Sequence, residues 1–171
     1  MEDWKGPATL VGITAGVVLV WEIEHEDRLK REAFAKALSF IKPWGKGIVN
    51  FGATGTWTNG YTDEIARHPA VKINVDIRQD DIPNFLYWNL QNTPYPFEDK
   101  EFDVAFASHI LEHLGNWKEV LGEWVRIADK VIIALPVPYL FGWFLPTHKQ
   151  HFTYEDIENI KRENPSIEIY C

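Results

Sequence analysis

Cysteine and clustered positive charge are scarce in this sequence, and each scarcity excludes a class of function. The 171 residues include a single cysteine, Cys171, which leaves no internal disulfide and no zinc site built on thiolates. We predict no metal ligands. Lysine and arginine total 17 against 25 acidic residues, the net charge is −8, and the basic residues are scattered. Because nucleic-acid binding needs clustered positive charge to neutralise phosphates, we expect no nucleic-acid partner.

Charge is also absent from a stretch near the N-terminus. Between Lys5 and Glu22 the chain is almost wholly apolar or small. This run is marginal for a bilayer, whose core requires about 20 helical residues and at least about 17. Three interpretations remain open for residues 7–23: a membrane anchor, a segment packed on the domain, or a surface for a partner. We divide the chain into this apolar N-terminal segment, residues 1–23, and one domain, residues 24–171.

Two features of the N-terminal region bear on cellular location. The opening "MEDWK" is acidic and no small-residue cleavage site follows it, so a removable secretory signal fits poorly. Arg28, Lys30 and Arg31 come directly after the apolar run. If the run spans a membrane, the positive-inside rule leaves the domain in the cytoplasm. We therefore predict a cytoplasmic domain, either anchored or not.

The rest of the chain alternates between helical and strand patterns. A first amphipathic helix is stopped by "KPWGKG". Further helices are predicted near Tyr61–Arg67, Trp117–Ala128 and from Thr153, whose hydroxyl can cap the last one together with Asp156. Strands are predicted in the segments "KGIVNF", "VKINVDI", "NFLYWNL", "FDVAFAS", "KVIIALP" and "SIEIYC". Such alternation predicts an α/β fold, a Rossmann-like, doubly wound and mostly parallel sheet with helices on both faces.

A glycine-containing turn follows the first strand, in "IVNFGATGTW". Gly52 and Gly55 allow positive φ and close approach of a ligand to the backbone. The turn lacks the Gly-Lys-Ser/Thr of a P-loop and does not match G-x-G-x-x-G. It therefore indicates either a ligand-binding turn or a tight strand-to-helix connection.

An acidic residue ends the second strand. Asp76 stands 24 positions after Gly52, close to the spacing of about 20 residues at which a ribose-binding carboxylate follows a glycine turn. The alternative is that Asp76 opens a solvated loop with Arg78, Asp80 and Asp81. Strand-end position and spacing together favour ribose.

The longest motif is "NLQNTPYPFEDKEFDVAFASHILEHL", from Asn89 to Leu114. It resembles the class I S-adenosylmethionine-dependent methyltransferases, in particular small single-domain members in which a polar residue, a P-(F/Y)-P-F turn, "FD", the fourth strand and "LEH" occur in that order. The resemblance extends through "EWVRIADKVIIALPVP" and "HKQHFTYEDI". It covers residues 48–160.

The resemblance implies S-adenosylmethionine as cofactor and assigns its contacts. The methionine part would lie on Gly52 to Gly55, including Ala53, close to Asn50. The ribose would lie on Asp76 with Ile77 against the adenine, and the adenine amino group would meet Asn89 beside Leu90. Ser108, with His109 next to it, would line the pocket floor.

This sequence departs from the family pattern in three places. Asn50 and Asn89 stand where the family usually has acids, and the resemblance implies a closing antiparallel hairpin for which the sequence offers only one strand. The expected sheet is thus short of its final strand. A protein partner or a second copy of the chain is one way to complete that edge.

No residue is clearly marked as catalytic. Methyl transfer from a sulfonium needs mainly proximity and in-line orientation, with a base only when the acceptor must lose a proton. His109 and His113 are the candidate bases, and His148 and His151 are further histidines with an equally plausible structural role. The stretch 136–146, "PVPYLFGWFLP", follows the fifth strand and is interpreted as a lid, an acceptor pocket or a membrane-facing rim.

Together these features predict a methyltransferase that uses S-adenosylmethionine and acts on a small or lipid- or glycan-linked acceptor. One alternative is a catalytically degenerate, membrane-attached interaction or scaffold subunit. Another is an enzyme that uses the same nucleoside pocket for a different reaction.

Overall fold

The computed structural model describes residues 25, 27–54, 61–136 and 148–171. Three of the predictions above, those for residues 7–23, for Gly55 and for most of the stretch 136–146, lie outside these residues. Among the described residues, no helix has the length and apolar character needed to cross a membrane.

Four helices and six strands make up the described part. Helix α1 spans residues 27–39, and a short 3-10 turn at Leu111–His113 follows the fourth strand. The remaining elements are β1 Ile48–Phe51, α2 Tyr61–Ala66, β2 Val71–Asp76, β3 Phe85–Tyr87, β4 Phe102–Ser108, α3 Trp117–Ile127, β5 Ala128–Ala134, α4 Tyr154–Glu163 and β6 Ile167–Tyr170.

The strands form one sheet in the order β3-β2-β1-β4-β5-β6. Every neighbouring pair runs parallel, so the predicted Rossmann-like α/β fold is confirmed. The strand order reverses between β1 and β4, which is where ligands bind in open α/β sheets, beyond the carboxyl ends of the strands. Strand β6 pairs directly with β5, with no antiparallel strand between them.

Helices cover both faces of the sheet, and alternation along the strands decides which side chain meets which helix. On one face, Ala33, Phe34 and Ala37 of α1 pack with Ile48 of β1 and Ile65 of α2. On the other face, the residues of α3 and α4 pack against the alternate positions of the same strands; they include Val49, Phe51, Ala105, Trp124, Ile133, Ile157 and Ile160. The strand ends are thereby fixed between two apolar layers.

Helix α4 begins as the sequence predicts. The Thr153 hydroxyl accepts a hydrogen bond from the backbone N–H of Asp156, and the Asp156 carboxylate accepts one from the backbone N–H of Thr153. This capping box satisfies amides that have no partner inside the helix.

A buried carboxylate anchors the loop that leads into β1. Asp103, which is 2 % exposed, accepts a hydrogen bond from the backbone N–H of Gly47 at 3.0 Å. The chain approaches so closely that a Cβ on Gly45 would lie 2.0 Å from Asp103 Oδ2. The "FD" pair of the sequence motif therefore positions β1, and with it the glycine turn.

This close approach predicts opposite effects for the same substitution at two glycines. Gly45→Ala should lower the free energy of unfolding by about 2 kcal/mol, because the new methyl group overlaps the buried Asp103 carboxylate. Gly122→Ala, at a helix position in α3 with no heavy atom within 4 Å of the added Cβ, should raise it by about 1 kcal/mol through helix propensity. Urea unfolding of both variants tests the prediction, which fails if Gly45→Ala is as stable as the parent chain.

Candidate functional site

The glycine turn after β1 is tied to the end of β2 by hydrogen bonds. The backbone N–H groups of Gly52 and Ala53 donate to the Val75 carbonyl at 3.0 and 3.5 Å. Thr54 donates to Asp76 Oδ2 twice, from its backbone N–H at 3.0 Å and its hydroxyl at 2.9 Å. The backbone N–H groups of Gly52, Ala53 and Thr54 thus all have acceptors inside the protein. A ligand at this turn would contact the carbonyl groups and the apolar surface of the turn.

Gly52 is required here for two reasons. Its φ is +68°, a backbone conformation that L side chains rarely adopt. A Cβ at this position would also lie 3.0 Å from the Cβ of Ile110, in the segment after β4. Gly52 therefore lets the ends of β1 and β4 approach each other at the switch point of the sheet.

Asp76 ends β2 with its carboxylate buried, only 7 % of the residue being exposed. Oδ2 accepts the two bonds from Thr54, and Oδ1 accepts the backbone N–H of Arg78 at 2.9 Å. Arg78, Asp80 and Asp81 of the following loop are exposed, so Asp76 is a buried residue at the start of a solvated loop. A carboxylate has about four acceptor sites, and three of them are already occupied in Asp76. One ribose hydroxyl can therefore bind without displacing Thr54, whereas binding of both ribose hydroxyls would require a hydrogen bond from Thr54 to break.

Asn50 lies inside the sheet, where it faces its register partner Asn74 on β2. The Asn50 Nδ2 group donates to Asn74 Oδ1 at 2.8 Å, and Asn74 Nδ2 donates to the carbonyls of Ala66 and Pro83, each at 2.8 Å. Both side chains are at most 3 % exposed. The amide of Asn50 thus belongs to a buried polar ladder that joins β1, β2 and the end of α2.

The residues predicted to bind adenine lie at the same carboxyl edge. Asp76 pairs with Tyr87 of β3, so Ile77 and Asn89 follow the ends of neighbouring strands. Ile77 is 54 % exposed, an unusual state for a large aliphatic side chain, whereas Leu90 is buried. Asn89 is exposed, and its side-chain carbonyl accepts the backbone N–H of Gln91 at 3.0 Å. This edge therefore has an aliphatic surface on which an adenine ring can lie and a side-chain amide that can meet the adenine amino group.

Ser108 and His109, at the end of β4, contribute polar atoms that have no hydrogen-bond partner among the described residues. These are the buried Ser108 Oγ and His109 Nε2. His109 has a φ of +51°, which turns the chain out of the strand. Burial lowers the pKa of His109 well below its ordinary value, and the positive charge of Lys30 adds to this effect. His109 is therefore neutral at physiological pH.

Two candidate histidines meet a buried acid in the 3-10 turn. Glu112 Oε1 lies 3.9 Å from His113 Nε2 and 4.0 Å from His109 Nδ1. The rings of His113 and His148 are 4.9 Å apart and nearly perpendicular, while His151 is exposed. In the sequence, these histidines were considered one by one and Glu112 was not singled out, although its position next to His113 in "LEH" was an available signal. The hydrogen bonds between Thr54 and Asp76 were also not predicted.

The other motif residues hold the segment Tyr95–Phe97 against α3. Arg126 donates to the backbone carbonyls of Tyr95 and Phe97 at 3.2 and 2.8 Å and forms a two-bond pair with Glu123 at 2.8 and 2.9 Å. Glu123 in turn accepts the backbone N–H of Tyr95 at 2.7 Å. The hydrogen bond from Arg126 lowers the pKa of Glu123. These residues therefore fix the segment Tyr95–Phe97 on α3.

Comparison with known proteins gives a family model that matches part of the chain, and solved structures with a similar fold. A family model for a methyltransferase domain matches residues 55–130, the interval that contains Asp76, Asn89 and Ser108. No curated protein matches the chain.

Two solved structures are similar. The YcgJ protein of Bacillus subtilis has a TM-score of 0.56 at 15 % identity over 78 % of this chain and 67 % of its own. A protein of Thermotoga maritima, described as an S-adenosylmethionine-dependent methyltransferase and possible histamine N-methyltransferase, has a TM-score of 0.47 at 17 % identity over 84 % of this chain and 76 % of its own.

The fold defines a Rossmann-like α/β protein, and the candidate site lies at the carboxyl edge of its parallel sheet. Together with the family match, it confirms the resemblance to the class I S-adenosylmethionine-dependent methyltransferases.

The Glu123–Arg126 pair predicts a specific loss of stability in acid. The folded-state pKa of Glu123 lies below its ordinary value of 4.5. The ionised carboxylate therefore stabilises the folded state fully above the unfolded-state pKa, and this stabilisation is lost as the pH falls through the folded-state pKa. Glu123→Gln should lower the free energy of unfolding by about 2 kcal/mol at pH 7, and the difference from the parent should shrink below about pH 4. Urea unfolding between pH 3 and 7 measures it.

Glu158→Gln supplies the control, because it removes one carboxylate of a surface pair in which Glu158 is 71 % exposed. That variant should lose less than about 1 kcal/mol. A Glu123→Gln variant with the same small loss at every pH would contradict the structural role of the pair.

Proposed function

We propose that this protein binds S-adenosylmethionine at the carboxyl edge of β1, β2 and β4 and transfers its methyl group to a small or lipid- or glycan-linked acceptor. The observation that carries the proposal is the buried Asp76 carboxylate beside the Gly52 turn, with the exposed Ile77 next to it. A nucleoside requires this combination of a directional polar group and an apolar surface.

The residues of the chain have distinct roles in this proposal. Asp76 binds a ribose hydroxyl, and Thr54 keeps the carboxylate oriented toward the turn. Ile77 lies against the adenine and Asn89 meets its amino group. Ser108 Oγ, which has no hydrogen-bond partner among the described residues, can bind the cofactor at the floor of the pocket. The cofactor supplies an activated sulfonium methyl, so these side chains act by holding the two reactants in line.

His109 is poorly suited to act as a general base. The pKa of His109, held well below its ordinary value by burial, makes it a weak proton acceptor at neutral pH. An acceptor whose nucleophile is already neutral and available needs no such base. The lipid- or glycan-linked acceptor rests on the aromatic character of the stretch 136–146, which follows β5 in the sequence.

Cofactor binding is tested by calorimetric titration of the purified chain with S-adenosylmethionine and S-adenosylhomocysteine. We expect micromolar binding of both. Asp76→Ala should weaken it by at least about tenfold, or about 1.4 kcal/mol, because a ribose hydroxyl loses its charged partner. Asp80→Ala removes the same charge from an exposed position in the following loop and should bind as the parent does.

A further variant separates a ribose contact from a merely structural Asp76. Thr54→Val removes one hydrogen bond to Asp76 Oδ2 and leaves the carboxylate in place. If Asp76 acts only through its hydrogen bond with the Thr54 hydroxyl, Thr54→Val should weaken binding as much as Asp76→Ala does. Equal losses in the two variants, or no binding by the parent chain at millimolar ligand, would contradict the proposal.

A second candidate is a methyltransferase-like protein without turnover that serves as an interaction or scaffold subunit. Asn50 supports it, because an amide committed to Asn74 stands where the family usually has an acid near the cofactor. Among the described strands, β6 is the last of the sheet on one side, and an outer edge strand can pair with another chain. Absence of cofactor binding, together with a stable complex of two copies in analytical ultracentrifugation, would favour this candidate.

A further inference from the structure

Three side chains from two distant parts of the sequence meet beside the end of β4. They are Glu112 and His113 of the 3-10 turn and His148 of the segment before α4, and one ligand atom from each lies within 4.8 Å of the others. Glu112 is 2 % exposed, while His113 and His148 are half-buried. Sequence reasoning found no metal ligands, because it excluded thiolate sites and considered the histidines separately.

The backbone holds the two segments together at this point. The Glu112 carbonyl accepts hydrogen bonds from the backbone N–H groups of Lys149 and Gln150 at 2.8 and 3.0 Å. The turn itself is closed by the bond from Leu114 N–H to the Leu111 carbonyl at 3.1 Å. The three side chains are therefore brought together by main-chain contacts, which fix the positions from which they extend.

The donor set has a definite chemical preference. Two imidazoles and one carboxylate suit zinc and the other divalent transition metals, whereas calcium and magnesium prefer oxygen ligands alone. A divalent cation beside a buried carboxylate also offsets the cost of removing that negative charge from water.

The three ligand atoms, which lie within 4.8 Å of one another, would have to move closer together to bind a metal ion. Ligand atoms about 2.1 Å from a tetrahedral zinc ion lie about 3.4 Å from each other. His113 Nε2 and Glu112 Oε1 are 3.9 Å apart, so a side-chain movement of about half an ångström would complete this pair. His109 Nδ1 lies 4.0 Å from the same Glu112 oxygen.

We propose that Glu112, His113 and His148 bind one divalent transition metal ion, with zinc as the best fit. Three protein ligands leave a coordination position open for water or for an oxygen of another molecule. Ile110, between Ser108 and this turn, packs near Gly52, so the site lies close to the edge where the cofactor would bind. A role in orienting an acceptor oxygen rests on the proposed function; metal binding itself does not.

Metal binding is tested on the untagged full-length chain after removal of metal with a chelator. Titration with zinc chloride, and with cobalt chloride as an absorption probe, should give one saturable site per chain and cobalt bands in the visible range. Glu112→Gln, His113→Asn and His148→Asn should each weaken zinc binding by at least about tenfold. Thermal unfolding in the absence of metal identifies any variant that fails to fold.

His68→Asn is the matched control. His68 follows α2, and its ring packs against Phe34 of α1. Its Nδ1 accepts a hydrogen bond from the backbone N–H of Ala70, and the side-chain carbonyl of an asparagine can accept the same bond. It should bind zinc as the parent does. The site is overturned if the parent chain shows no saturable binding, or if the three folded ligand variants bind zinc as tightly as the His68→Asn control.

The two proposals are distinguished by measuring S-adenosylhomocysteine binding in the presence of chelator. Cofactor binding without a zinc site overturns the metal proposal alone, whereas zinc binding without cofactor binding overturns the proposed function and leaves the metal site in place.

Discussion

Parallel pairing of β1 with both β2 and β4 is the constraint on which the site depends. Because parallel strands present their carboxyl ends on one edge, this pairing brings together Gly52, Asp76 and Ser108, which are far apart in sequence. Gly52 makes the arrangement possible, since any side chain there would meet Ile110. The buried Asp103 carboxylate sets the start of β1. The position of the candidate site is therefore a consequence of backbone packing before any ligand is considered.

Polar groups inside the sheet limit what that edge can do. The Asn50–Asn74 ladder satisfies two amides that would be costly to bury alone, and it joins β1 to the end of α2. A carboxylate at position 50 would offer no donor to Asn74 Oδ1, so this neighbour and the family's usual acid are poorly compatible. Asp76 is limited in the same way. Its oxygens accept hydrogen bonds from the glycine turn and from the loop after β2, which leaves few acceptor sites for a ligand.

Periodicity and caps predicted most of the fold. Three elements could be predicted from neighbouring residues alone, and the structure confirms each of them. They are helix α1 from its apolar stripe, the start of α4 from the Thr153 cap, and strand β4 from the run Phe102–Ser108. Strand β5 begins at Ala128, earlier than the predicted "KVIIALP", because pairing with Phe102 extends it toward α3. The hydrogen bonds of Thr54 to Asp76 and the approach of His148 to Glu112 depend on contacts between separate segments, and no local pattern encodes those distances.

The motif that carries the family resemblance is largely a scaffold. Asp103 anchors a loop, Glu123 and Arg126 hold the segment Tyr95–Phe97, and the Tyr95 hydroxyl donates to the Leu90 carbonyl at 2.8 Å. These contacts hold the segments around the candidate site in place. Glu112 and His113 belong to the same motif, and their side chains lie beside His148. The cluster around Glu112 has side chains suited to chemistry, because it combines a buried acid and two histidines at the edge where β4 ends.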